Sequence, residues 1–171
     1  MKALIVIDML EDFIGEKGAL SVGPEGKKLI PFINDRIREF RAQSAPIIFI
    51  CDNHEENDSE FDMFVPHCIA GTVGSDIIRE VDFEPGDKVI KKRRYSSFFG
   101  TDLDISLREK GAGELYLVGV CTNICVLFTA ADARNLGYKV NIYKDGVTSF
   151  DAQAHKFALV EAEKTLGCKV I

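Results

Sequence analysis

The sequence predicts an α/β fold: a three-layer α/β/α domain around a doubly wound, six-stranded parallel sheet. Two observations carry this. Short, nearly continuous apolar runs recur along the chain, as strands buried on both faces require, and the stretches between them are amphipathic at helical spacing. The runs are Ala3 to Ile7, Pro46 to Ile50, Lys88 to Ile90, Leu115 to Val120, Val140 to Tyr143 and Lys169 to Ile171. Between the first two, Leu29, Ile33, Ile37 and Phe40 mark the inner face of a helix. Asn123 to Leu136 reads as a second helix stopping at Gly137. Asp151 is placed to cap a third, with Ala158, Leu159, Ala162 and Leu166 facing inward and Gly167 as its stop. Strand and helix alternation of this kind builds right-handed βαβ units. The longest irregular segment, from Asp52 to Gly74, holds two of the three histidines.

Composition narrows the function classes. Residues 1–171 fit a single domain, and a domain of that size buries about 70% of its unfolded surface without staples. Apolar residues at 46% and charged residues at 28% are an ordinary globular mixture. No apolar run approaches the length of a membrane span, and the N-terminal run meets Asp8 too soon for a signal peptide. Five cysteines, an odd number without C-x-x-C pairing, argue against a disulfide framework and for a reducing compartment, so a cytoplasmic location is expected. A net charge of −6, with only Lys91 to Arg94 as a basic run, makes nucleic acid an unpromising partner.

In doubly wound sheets ligands bind beyond the carboxyl ends of the strands, so the polar residues that close each apolar run come first. Asp8 closes the first, Asp52 and His54 the second, Lys91 and Lys92 the third, and Cys121 to Cys125 the fourth. Cys125 falls where strand gives way to helix. There the unpaired N–H groups favour a thiolate, and those of Cys125 and Cys121 are placed to hold an oxyanion. The same position also suits a small buried hydrophobe. Asp8 can take a thiol proton and return it to a leaving amine, or simply cap a turn. Lys92, preferred here to Lys91, would place a cation beside thiolate and carboxylate, although such basic runs are often solvated. Asp52, His54 and His67 offer a set of metal donors with positions left open, compatible with Zn²⁺, Fe²⁺ or Mn²⁺. An Asp-x-His pair arises readily by chance, so spacing alone leaves that site undecided. His155 reads as a helix-surface residue.

Three stretches together carry a resemblance: Val6-Ile7-Asp8-Met9-Leu10-Glu11-Asp12-Phe13, Lys92-Arg93-Arg94-Tyr95-Ser96-Ser97-Phe98-Phe99-Gly100-Thr101-Asp102-Leu103 and Gly119-Val120-Cys121-Thr122-Asn123-Ile124-Cys125-Val126. In this order they resemble the isochorismatase-like cysteine hydrolases. The resemblance implies a triad of Asp8, Lys92 and Cys125 and a cis peptide between Val120 and Cys121. Asp52, His54, His67 and Cys68 look like the metal-binding pattern of the nicotinamidases within that family. For this chain the pattern implies one divalent metal, zinc first, with iron or manganese as alternatives. It also implies Phe13 and Phe64 flanking an aromatic substrate, hydrolysis of nicotinamide through a thioester, and assembly into homo-oligomers. Leu10 stands where many relatives have Gln, and Val65 where an Arg often precedes the metal histidine. Two other readings follow the same residues: hydrolysis of an N-carbamoyl, ureido or other small amide, and a non-catalytic metabolite-binding domain. All three triad members are present, which speaks against the last.

Overall fold

The computed structural model describes residues 1–171. Six strands form one parallel sheet: β1 (Lys2–Ile7), β2 (Ile47–Asp52), β3 (Lys88–Lys92), β4 (Glu114–Val120), β5 (Lys139–Thr148) and β6 (Lys169–Val170). Their spatial order is β3-β2-β1-β4-β5-β6, so the chain reverses its direction of travel between β1 and β4. A crevice opens at the carboxyl ends of the strands flanking such a reversal.

The two-residue period of β1 sorts its side chains. Ala3, Ile5 and Ile7 join one buried cluster with Leu103 and Leu107 of α3 (Leu103–Glu109), Val126, Ala130 and Ala133 on or beside α4 (Leu127–Asn135), and Ala162 of α5 (Ala152–Lys164). Leu4 and Val6 join the opposite cluster with Leu29, Ile33, Ile37 and Phe40 of α2 (Pro24–Ala42). Both faces are thus covered, which is why the strands read as continuous apolar runs. The Asp151 carboxylate caps α5 by accepting from Gln153 N and Ala154 N at 2.8 and 3.0 Å.

Several elements differ from the sequence expectation. The third connection contains α3, whose buried Leu103 and Leu107 lie one turn apart in a stretch too short to show a longer period. The expected helix over 123–136 begins with a π-helical turn, Thr122–Val126, before α4. A short helix, α1 (Glu11–Ile14), follows β1. Strand β5 extends well past Tyr143 because its pairing with β4 shifts register between Leu117 and Gly119 and then resumes.

Gly119 makes that region possible. Its φ is 112°, and a Cβ added there would lie 1.9 Å from the Ile7 carbonyl oxygen. Only glycine lets β4 approach β1 so closely just before both strands deliver their polar residues. The peptide between Val120 and Cys121 is cis. No helix is long and apolar enough to cross a membrane.

Candidate active site

Asp8 leaves β1 with φ 53°, a region few non-glycine residues occupy. It is held by its own N–H to Ile50 O and by Oδ1, which accepts from Asp52 N, both at 2.9 Å. Its Oδ2, fully buried, pairs with the Lys92 ammonium at 2.9 Å. Asp52 and Lys92 are the last residues of β2 and β3 and are register partners. The Lys92 ammonium bonds the Asp52 carboxylate and sits 3.3 Å from Cys125 Sγ. One carboxylate oxygen each from Asp8 and Asp52, together with Cys125 Sγ, fall within 4.8 Å of one another. Three strand ends and the π-helical turn therefore bring Asp8, Asp52, Lys92 and Cys125 into a single buried cluster.

Charge balance in the cluster follows from that packing. Burial, reinforced by the Asp52 carboxylate, raises Asp8 to about 6 despite Lys92. Burial also pushes Asp52 up, but Lys92 and His54 more than cancel it and leave Asp52 below the usual carboxylate range. The two carboxylates hold Lys92 firmly protonated against the pull of burial. The Cys125 thiol is driven well above its ordinary value by burial, with Asp8 and Asp52 adding to the effect and Lys92 opposing it. Burial thus opposes the pull toward thiolate expected from the position of Cys125 and from Lys92. A fully buried sulfur beside two carboxylates keeps its proton, and the helical-turn N–H groups and one shared ammonium do not overcome that.

Beside the cluster, His54 and His67 turn their Nε2 atoms toward Asp52 Oδ2, at 3.7 and 3.9 Å. Their Nδ1 atoms are occupied, His54 by Asp58 Oδ2 at 3.0 Å and His67 by the Val65 carbonyl at 2.8 Å. His54 Nε2 is buried with no hydrogen-bond partner. Donor atoms of Asp52, His54 and His67 lie within 4.8 Å of one another, as a shared cation requires. Fixing Nδ1 from behind and leaving Nε2 facing inward is how proteins orient metal-binding histidines. The donor set fits one divalent ion.

A cleft opens over both groups, lined among others by Phe13, Phe64, Tyr95, His67, Cys121 and Cys125. Phe13 and His67 rings meet edge-on at 5.4 Å. A narrow, predominantly apolar cleft with aromatic walls and few polar groups suits one small ring rather than a polymer.

A family model of the isochorismatase domain matches residues 2–171. The chain belongs to the isochorismatase family. It is a hydrolase of amide C–N bonds, and the six-stranded parallel sheet is the family's α/β fold. An isochorismatase family protein of Bacillus subtilis is 38% identical over 99% of this chain and 98% of its own. The pyrazinamidase/nicotinamidase of Streptococcus mutans superposes with a TM-score of 0.93 at 38% identity, covering 100% of both chains. A pyrazinamidase of Pyrococcus horikoshii, in complex with zinc, gives 0.93 at 37% identity over 99% of this chain and 98% of that one.

Every candidate residue named from the sequence falls in or beside this site. Others were missed. Glu60, 7% exposed, lines the cleft and lies 4.0 Å from His54 Nε2. Nothing in the local sequence marks it, because the 3₁₀ turn Ser59–Asp62 presents it. Asp58 both caps that turn, through Glu60 N at 3.0 Å, and receives Arg94 Nη1 at 2.9 Å. Arg93 pairs with Glu55, so the basic run after β3 is largely neutralised by the segment carrying the histidines. His155 is not a plain surface residue: half-buried, its Nδ1 meets Thr122 Oγ1 at 2.8 Å, bracing the π-helical turn. Ser97 is buried against Thr129 through N–H and hydroxyl contacts of 2.9 and 2.8 Å, which ties the segment after β3 to α4.

Proposed function

We propose that this protein is a nicotinamidase, hydrolysing nicotinamide to nicotinate and ammonia through a thioester on Cys125. The observation that carries the reading is the Lys92 ammonium shared by Asp8, Asp52 and Cys125 at the base of a small aromatic cleft whose wall carries Asp52 and His67, with His54 buried beside them.

Phe13 and Phe64 hold the flat ring, and the cleft presents its carboxamide to Cys125. Ionised Asp8 takes the thiol proton, and the sulfur adds to the carbonyl carbon. Backbone N–H groups of Cys121 and Cys125 receive the oxyanion. The tetrahedral adduct collapses as Asp8 returns the proton to the leaving nitrogen, which departs as ammonia. Asp8 then takes a proton from water, the resulting hydroxide attacks the thioester, and Cys125 leaves with its proton restored. Lys92 remains protonated throughout and offsets whichever partner carries the negative charge. Asp52, His54 and His67 would hold a divalent metal, zinc in the first instance, which would supply a Lewis-acidic anchor for the ring. Residues 1–171 act as one catalytic domain, in the cytoplasm and as a homo-oligomer.

The test is ammonia release from nicotinamide by zinc-loaded protein, by chelated protein and by Cys125→Ala. Loss in the last two with turnover in the first supports the proposal. Zinc-loaded protein that releases ammonia from N-carbamoyl compounds but not from nicotinamide refutes it.

A further inference from the structure

Asp12 stands next to last in the stretch Val6 to Phe13 and has no part in the reaction above. Its carboxylate is instead a junction. Oδ2 accepts from Cys68 N at 2.7 Å, across 56 residues, and Oδ1 accepts from Ala19 N at 3.0 Å. The Asp12 carbonyl accepts from Leu20 N at 3.1 Å. Cys68 is itself unusual, with φ 46° in a non-glycine residue. A conformation that costs free energy persists only where its surroundings hold it. The Asp12 bond holds the Cys68 amide from one side. From the other, the Cys68 carbonyl accepts from His54 N at 3.0 Å, and Ala70 N returns to the His54 carbonyl at 2.8 Å. One chain of bonds thus runs from Asp12 through the Cys68 backbone to His54, with His67 immediately before it.

Gly74 shows how closely the carboxylate is seated. A Cβ at residue 74 would lie 2.1 Å from Asp12 Oδ2, the oxygen that holds Cys68. The bond to Cys68 therefore requires bare backbone there.

We infer that Asp12 is a positioning residue that sets the spacing of the His67 donor relative to Asp52 and His54 and fixes the Phe13 wall of the cleft against it. The inference rests on the proposed metal site. Asp12 touches neither metal nor substrate; it acts through the backbone of Cys68 on one side and of Ala19 and Leu20 on the other. Asp12→Asn keeps one acceptor oxygen for two N–H donors, and Gly74→Ala displaces the native carboxylate without removing it.

The experiment measures zinc affinity by chelator competition, and KM and kcat for nicotinamide, in wild type, Asp12→Asn, Gly74→Ala, His67→Ala and the Asp12→Asn/His67→Ala double variant. Thermal unfolding confirms that each is folded. Both Asp12→Asn and Gly74→Ala should bind zinc about tenfold more weakly, the lower end of what groups orienting metal ligands contribute. KM should rise in step while kcat stays within about twofold. With His67 gone, Asp12→Asn should weaken zinc binding by clearly less than it does in wild type, since only the part of the coupling carried by the His54 backbone remains. Wild-type zinc affinity in folded Asp12→Asn, or an equal loss with and without His67, overturns the inference. If His67→Ala binds zinc as wild type does, the metal-site reading falls instead, and the two failures are told apart.

Discussion

Replacing Lys92 by methionine keeps the length of the stem and removes the charge that two buried carboxylates share. Removing one partner of a buried ion pair costs about 3–5 kcal/mol, and Lys92 has two partners, so a loss near ~5 kcal/mol is expected at pH 8. That is a large part of the roughly 5–15 kcal/mol that holds a domain folded. The loss should depend on pH with a definite sign. Without the cation, Asp8 and Asp52 have folded pKa values raised above their unfolded ones. Their contribution is then fully present in acid and is lost as pH rises through the folded values. Each carboxyl that stays protonated in the folded variant, but ionises on unfolding, changes stability by up to about 3 kcal/mol between pH 5.5 and 8. Urea unfolding of chelated protein at both pH values, compared with wild type, measures this. Adding Asp8→Asn to the variant removes one of the stranded charges and should recover about 2 kcal/mol at pH 8. A deficit under about 1 kcal/mol that is equal at both pH values refutes the reasoning, because it would mean that water already screens the cluster.

Three further outcomes are expected. With Asp8 as proton acceptor and its pKa at about 6, kcat/KM at saturating zinc should fall as pH drops below about 6; a limb near 4 would show that burial does not raise this carboxyl. Asp58→Ala strips His54 Nδ1 and Arg94 of their shared partner and should weaken zinc binding by about 10–100-fold, read by chelator competition. Gly119→Ala forces a Cβ toward the Ile7 carbonyl and should cost about 3 kcal/mol or more in urea unfolding, with activity lost alongside stability.

The strand layout was legible because burial on both faces leaves apolar runs that end abruptly in polar residues, and those residues prove to be the ones that converge. Asp8, Lys92 and Cys125 could be named from position because the parallel sheet gathers its strand ends. What stayed hidden depends on contacts between distant segments. Glu60 and Asp58 sit on a 3₁₀ turn that carries no periodic signal, and α3 buries only two leucines one turn apart. The upward push on the Cys125 thiol was not legible, because the turn bearing the sulfur is a local feature whereas burial is set only by packing. His155 looked external because its partner, Thr122, lies 33 residues away.

The reacting groups stand on the ends of β1 and β3 and on the turn after β4, whereas His54, Glu60, Phe64 and His67 all belong to the segment joining β2 to β3. Under the proposed roles, much of the cleft wall and two of the three metal donors thus sit in one connection, while Phe13 and Asp52 stand beside the reacting groups. Drift in the joining segment can retune what enters the cleft while the pairing of β1 with its neighbours, and the reaction it supports, stays as it was. A lineage built this way can change its diet without relearning how to break the bond.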